Sequence, residues 1–319
     1  MSPSIPNTMK AAVINKFGGP EVLHVARIPV PEPGEREILI RVDTAGIAVW
    51  DPWLREGGMG GDRFPLVLGS DGSGTVAACG SKVRRFKTGD RVYGYAFGSP
   101  KGGFYAEYAV IPEDAAALVP ANISMEEAGA LAASGLTAMA GLDKLKIKDN
   151  WALMVLGASG GVGHVALQLA KRQGARLVAV ASGKDGRDLV ERLGADLAVN
   201  GRAADVAKAV QKFAPEGLDA ALVFANSERL REALKQVKKG GIIAYPHGVD
   251  PEPKGLTGAK VESFDGLADR DVYDRLNELV ARGPFRVEIT RTYRLEDLPQ
   301  AHRDILKHHI GKPALKLQD

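Results

Sequence analysis

The chain has 319 residues, 45% of them hydrophobic and 25% charged, and a formal net charge of +3. That length leads to two domains, and so mild a charge argues against nucleic acid or a membrane surface as partner. One cysteine, Cys79, excludes an intramolecular disulfide, Met1–Thr8 carries no apolar signal core, and no apolar run reaches membrane-spanning length, so a cytoplasmic protein is expected.

Residues 9–122 alternate short β-rich runs with Gly, Pro and Asp punctuation: Lys10–Ile14, Glu37–Ala45, Thr75–Cys79, Arg91–Ala96 and Tyr105–Ile111. These are all-β signals. Pro29, Pro31 and Pro33 break the chain after the first run, and Pro120 closes the region. At Ser124 the period changes. Ser124-Met125-Glu126-Glu127 reads as a capping box, and an Ala-rich helix follows, interrupted at Ser134-Gly135 and resuming through Leu145.

Next come alternating units. Strand Trp151–Leu156 leads into a helix, Val162–Arg172, whose Val162, Val165, Ala166, Leu169 and Ala170 form one apolar face. Strand Leu177–Ala181, a helix near Arg187–Leu193, strand Leu197–Val199, a helix over Ala203–Phe213, strand Ala220–Phe224, a helix over Leu230–Val237 and strand Ile242–Tyr245 follow. Alternation of this kind with continuous apolar strands means a parallel, doubly wound sheet. After about Phe264 the pattern ends, and the chain closes with a helix (Asp271–Ala281), a strand (Phe285–Thr290), a helical stretch (Leu295–Lys307) and an apolar tail (Pro313–Leu317).

The turn between the first of these strands and its helix reads Gly157-Ala158-Ser159-Gly160-Gly161-Val162-Gly163. Ala158, Gly160 and Gly163 hold the three positions of the G-x-G-x-x-G dinucleotide fingerprint, alanine replacing the first glycine; such a turn allows close backbone approach to a diphosphate at a helix N-terminus. In NAD-binding folds a carboxylate about 20 residues further on takes the ribose hydroxyls. Here that stretch is Ser182-Gly183-Lys184-Asp185-Gly186-Arg187. A hydroxyl followed by the cations Lys184 and Arg187 suits a 2′-phosphate, which favours NADP(H); the competing reading makes both cations solvated charges opening a surface helix. The same turn also spells G-x-S-x-G, the nucleophile elbow of α/β-hydrolases, with Ser159 as nucleophile and His247 or His302 as base. Against the elbow stand the third glycine, Gly163, and the lack of a preceding HGGG-type motif. Six histidines and one cysteine show no zinc-ligand spacing, so no metal is expected.

Over almost its whole length the chain resembles the zinc-free quinone oxidoreductase (zeta-crystallin-like) branch of the medium-chain dehydrogenase/reductases. The resemblance rests on Met9–Val13 with Phe17–Leu23, Pro29–Gly34, Gly69–Gly74, Phe86–Val92, Tyr105–Tyr108, Gly135–Ala138, the glycine turn and Gly311-Lys312. It implies an α/β architecture in which a Rossmann doubly wound parallel sheet, residues 123–266, follows an N-terminal partly open β-barrel (GroES-like) domain, residues 1–122 completed by 267–319. It also implies an active-site cleft between the domains and a homodimer through the Rossmann sheet edge near Ile242–His247 and Gly258–Phe264. In zinc-dependent relatives the Ile47–Asp51 segment carries a cysteine ligand and the Gly69 segment reads Gly-His-Glu; this chain has Ala48 and Gly69-Ser70-Asp71.

Carried over position by position, Ser159, Gly160, Gly161 and Val162 match the diphosphate turn. Ser182 and Lys184, with Arg187 beside them, match the adenosine-phosphate end, and Thr137 with the Tyr245–Gly248 backbone (Tyr245, His247, Gly248) matches the nicotinamide side. The family's Asn-Tyr-Arg after the third Rossmann strand is Asn200-Gly201-Arg202 here, which removes an aromatic contact. Quinone oxidoreductases usually have asparagine at Ala48 and tyrosine at Trp53. Asp51 and Trp53 are the substrate-cleft candidates, each weighed against a structural role, and the Gly57–Gly61 loop is a candidate gate. The implied function is NADPH-dependent hydride transfer to a quinone or α,β-unsaturated carbonyl, a small electrophilic substrate, without zinc. A non-enzymatic, crystallin-like or regulatory NADPH-binding protein is the competing class.

Overall fold

Two compact units make up the computed structural model: Met1–Ala133 with Ala268–Asn277 and Ile289–Asp319, and Ser134–Leu267 with Glu278–Glu288. The structure describes residues 5–60, 63–202, 205–254, 256 and 258–318.

The first unit begins with β1 (Thr8–Ile14), β2 (His24–Pro29), β3 (Glu37–Gly46), the short helix α1 (Asp51–Arg55), β4 (Leu66–Val67), β5 (Asp71–Cys79), β6 (Arg91–Tyr95), β7 (Tyr108–Pro112) and β8 (Ala116–Leu118). β1 pairs antiparallel with β2 and β4, while β3 pairs with β5 and β7. β2 was not expected, because Pro29 reads as a breaker; it ends the strand, and β2 lies at an edge where a missing N–H is tolerated. The run expected from Tyr105 enters regular pairing only at Tyr108, since Phe104 and Tyr105 turn fully into the core of Ile38, Ile40, Ile111 and their neighbours.

Helix α2 (Met125–Leu145) opens with the expected box: Glu127 N–H donates to Ser124 Oγ at 3.0 Å, and Ser124 N–H to the Glu127 carboxylate at 3.0 Å. The expected interruption at Ser134-Gly135 does not occur. Residues from Ala128 to Ser134 are buried, and that burial outweighs the glycine's weak propensity.

The second unit contains β9 (Ala152–Leu156), α3 (Gly163–Arg172), β10 (Arg176–Ala181), α4 (Gly183–Arg192), β11 (Leu197–Asn200), α5 (Val206–Phe213), β12 (Leu218–Val223), α6 (Arg231–Leu234), β13 (Val237–Pro246) and β14 (Lys260–Phe264). All pairings are parallel, in the order β11-β10-β9-β12-β13-β14. The winding direction reverses between β9 and β12, and the carboxyl ends of the strands at such a reversal are where sheets of this kind bind ligands. α3 is buried from Gly163 to Ala170, not on one face. The segment Glu278–Glu288 covers it: Gln168 bonds both ways with the Arg286 backbone (2.8 and 3.0 Å), and Arg172 donates to Val280 O and Pro284 O (2.8 and 2.6 Å). That duty leaves 285–288 outside the sheet and explains why the expected strand Phe285–Thr290 appears later.

Other boundaries shift as well. α4 begins four residues before Arg187, at Gly183. α5 begins at Val206, capped by Asp205 accepting from Lys208 N–H at 3.1 Å; Ala203 and Ala204 lie outside the described residues. The helix expected over Leu230–Val237 is only the short α6, because Val237 already joins β13 beside β12.

The chain ends with α7 (Arg270–Ala281), β15 (Ile289–Tyr293), α8 (Leu298–Asp304) and β16 (Lys312–Lys316), which pairs antiparallel with β3 and parallel with β15. No helix among the described residues is long and apolar enough to cross a membrane.

Candidate functional site

The glycine turn sits at the carboxyl end of β9, the central strand next to the reversal. Gly157 and Ala158 both donate their N–H to Val180 O of β10, at 3.1 and 3.0 Å, which ties the turn to the neighbouring strand. A Cβ on Gly163 would lie 2.1 Å from Gly157 O, so helix and turn can close only on a glycine. Gly160 is different: a Cβ there would meet only Gly157 O, at an ordinary 3.4 Å. The protein's own packing does not require glycine at 160. Gly161 and Val162 N–H groups have no backbone acceptor among the described residues, at the positive end of α3. Ser159 is buried, and its Oγ lies 2.8 Å from where a Gly186 Cβ would be, between the turn and the first turn of α4.

Ser182 follows β10 at the N-cap of α4 with no side-chain capping bond, and Lys184 and Arg187 follow in α4. Because α4 starts at Gly183, Lys184 reaches Asp188 one turn on, at 2.8 Å, with its side chain 83% exposed. Arg187 approaches Asp188 and Glu191, each at 3.5 Å. The Lys184 ammonium, first, holds the Asp188 carboxyl below its ordinary range. Sequence reasoning missed Asp188 because it began the helix too late for the i, i+4 relation. Tyr245 and His247 lie at the end of β13; His247 Nδ1 stands 2.9 Å from the Asp265 carboxylate, and Gly248 has φ of 91°. Thr137 lies in α2, in the same unit, close against Gly266.

The histidines that could serve Ser159 as a general base have other partners among the described residues. His164, the histidine nearest it in sequence, has Nδ1 on Gly160 O at 2.8 Å and accepts from Glu288 N–H at 3.0 Å, so both ring nitrogens are committed. His247 is held by Asp265, and His302 lies in the first unit, its Nδ1 on Arg55 at 3.1 Å. Burial, then the Arg55 charge, pushes His302 down to about 3, so it stays neutral.

In the first unit Asp51 is fully buried. Its Oδ2 accepts the Tyr105 hydroxyl at 2.5 Å and Ala48 N–H at 2.7 Å, while Oδ1 has no partner among the described residues. Burial is the main cause that raises Asp51 to about 7. The same burial, with the Asp51 charge, pushes the Tyr105 phenol well above its usual value. Beside them Asp71 accepts Lys312 Nζ at 2.6 Å and Ala133 N–H at 3.1 Å. Ser70 accepts the Trp50 indole N–H at 2.9 Å. Among the described residues no group of three or more His, Cys, Asp or Glu is arranged around a metal position.

Trp53 is half exposed, its indole laid over Gly58 so closely that a Cβ would fall 1.9 Å from the ring. The described part of the candidate gate is thereby held: Gly58 N–H donates to Trp53 O at 3.0 Å, Gly60 N–H to Gly57 O at 2.8 Å, and Met59 reaches Gly98; Gly61 lies outside the described residues. Sequence reasoning also missed Tyr105, Lys312, Trp50 and Ser70 as partners, though Tyr105 and Lys312 stand in strings that carried the resemblance.

Two family models match the chain, the alcohol dehydrogenase GroES-like domain over residues 34–121 and the zinc-binding dehydrogenase domain over residues 161–258. A quinone oxidoreductase of Sus scrofa is 30% identical over 93% of this chain and 94% of its own. The NADPH-dependent alkenal/one oxidoreductase, chloroplastic, of Arabidopsis thaliana is 36% identical over 89% of this chain and 72% of its own. A solved NAD-dependent alcohol dehydrogenase superposes with a TM-score of 0.89 at 30% identity, covering 97% of this chain and all of the other. With a GroES-like first domain, a Rossmann sheet in the order found here and relatives of this kind along its length, the chain belongs to the medium-chain dehydrogenase/reductases, in their quinone oxidoreductase branch, and is an oxidoreductase of that family.

Proposed function

We propose that the chain is an NADPH-dependent, zinc-independent reductase of quinones or α,β-unsaturated carbonyls. The observation that carries the zinc-independent reading is the commitment of Ser70 and Asp71. They stand where zinc-dependent relatives read His-Glu, yet one is bonded to an indole and the other to a buried lysine. NADPH, when bound, supplies the hydride. Gly160 leaves room for a diphosphate against the backbone, and the Gly161 and Val162 N–H groups supply donors for it. Ser182, Lys184 and Arg187 would hold the 2′-phosphate, with Lys184 and Arg187 drawn off Asp188. NADPH dependence of the Arabidopsis relative supports this choice, and the NAD-dependent neighbour makes NADH the control. The reading extends to a homodimer through β14, one of the two outer strands of its sheet, which light scattering would test.

The experiment is loss of NADPH absorbance with a panel of quinones and conjugated enones, with and without a chelator. Turnover that survives chelation supports the reading. Cofactor binding without turnover on any member favours the non-enzymatic class instead. Ester cleavage abolished by Ser159→Ala would restore the hydrolase reading, which His164, His247 and His302 give no support.

A further inference from the structure

Within the first unit lies a cavity of about 420 Å³ whose walls include Leu54, Met59, Leu66, Val67, Ser70 and Ala96. The size falls in the ~300–1,000 Å³ range of small-molecule pockets, and the lining is mostly apolar. Ser70 is held there from two sides. Its carbonyl accepts Ala96 N–H at 2.6 Å, and its Oγ accepts the Trp50 indole N–H at 2.9 Å. Trp50 is braced in turn, its ring meeting Phe97 edge-on at 6.5 Å, and Phe97 stacks on Tyr95 at 6.2 Å.

The Ser70 hydroxyl therefore accepts one bond, while its O–H has no acceptor among the described residues, although Ser70 is only 2% exposed. A buried hydroxyl with an unspent donor is costly unless something on the cavity side accepts it. Among the cavity's other polar side chains, Lys101 is held by Glu32 O at 2.9 Å and by Glu37, while Arg63 and Ser99 are further donors, both less buried than Ser70. The Tyr105 phenol is spent on Asp51, the Trp50 N–H on Ser70 itself, and Trp53 is not among the residues lining the cavity.

We propose that Ser70 is the hydrogen-bond donor to the carbonyl oxygen of the substrate, seated in this mostly apolar cavity. The inference rests on the proposed reduction of conjugated carbonyls. As hydride adds to the conjugated carbon, the π pair moves onto the carbonyl oxygen. A fixed O–H donates to the oxygen as that charge grows, without giving up its proton, and water later protonates the enolate.

Ser70→Ala, Ser70→Thr and Trp50→Phe test it. With 4-phenyl-3-buten-2-one as substrate, Ser70→Ala should lower kcat about 10- to 100-fold and raise KM several-fold with little change in NADPH affinity, Ser70→Thr should recover most of it, and Trp50→Phe should fall between. Binding is read separately by calorimetry with NADP+ present. The enone should bind Ser70→Ala several-fold more weakly than the unaltered chain, whereas the carbonyl-free 4-phenyl-1-butene should bind both alike. A chain that turns nothing over but shows this binding difference loses the reductase reading and keeps the Ser70 site. Equal enone binding by both proteins, or none by the unaltered chain, overturns the Ser70 assignment, as does unchanged kcat in an active enzyme.

Discussion

Replacing Gly160 and Gly163 by alanine, one at a time, separates what the fold requires of the glycine turn from what a cofactor requires. At Gly163 the added methyl would sit 2.1 Å from Gly157 O and 2.8 Å from Ala158 Cα, both backbone atoms that cannot rotate away. Closing that overlap means moving α3 off the turn by about 1 Å, an overpacking cost of ~1–3 kcal/mol. For a unit of this size that lowers the thermal midpoint by about 2–12 °C. At Gly160 the methyl meets one oxygen at 3.4 Å and the backbone is not left-handed. Stability should therefore hold or rise by ~0.4–1 kcal/mol through the unfolded chain. The methyl would nonetheless stand between the backbone and a diphosphate, so Gly160→Ala should weaken NADPH and NADP+ at least about tenfold, or ~1.4 kcal/mol. Thermal denaturation and a fluorescence titration on the same samples give both numbers. Gly160→Ala that binds like the parent refutes the diphosphate assignment; Gly163→Ala that melts like the parent refutes the packing argument.

Lys184→Glu should weaken NADPH by about ten- to hundredfold, the ~1.5–3 kcal/mol of a charged hydrogen bond, with little effect on NADH; parallel losses for both cofactors would count against a 2′-phosphate contact. Asp188→Asn releases Lys184 and Arg187 from their present partner and removes a like charge, so NADPH should bind several-fold tighter and NADH unchanged, measured by the same titration. Asp51 carries a pH signature. Its carboxyl is raised from 3.8 to about 7 by burial, so the folded chain holds a proton that the unfolded chain has released. That contribution is intact below about pH 4 and disappears as pH rises through 7, a loss of up to about 4 kcal/mol. Asp51→Asn should flatten that part of a denaturation series run from pH 4 to 8, and an unchanged slope would remove Asp51 as its source.

The turn and the strand order were readable because their physics is local: apolar runs, a glycine spacing and a helix start lie within a few residues of each other. Partnerships were not. Tyr105 meets Asp51 across 54 residues and Lys312 meets Asp71 across 241, and no periodicity links such positions. α3 has the pattern of a one-sided helix, yet Gln168 and His164 are buried because Gln168 pairs with Arg286, 118 residues away, and His164 with Glu288. Asp188 was close by in sequence but needed the right helix start before its pairing with Lys184 made sense. Trp53 was singled out by comparison with a tyrosine, while Trp50, three residues earlier, holds the hydroxyl.

Lys312 gives the order of synthesis a physical meaning. The second unit is almost continuous in sequence, so its sheet can form as soon as its residues leave the ribosome. The barrel's first strands emerge earlier and must still wait, because β16 is the late-made partner of β3 and brings the cation that neutralises buried Asp71. Until then Asp71 faces the interior without its counter-charge and an edge of β3 stays open, the state in which nascent chains associate with one another. Loss of residues 312–318 would therefore be felt at the beginning of the chain, as a barrel that cannot close around work begun some 240 residues before.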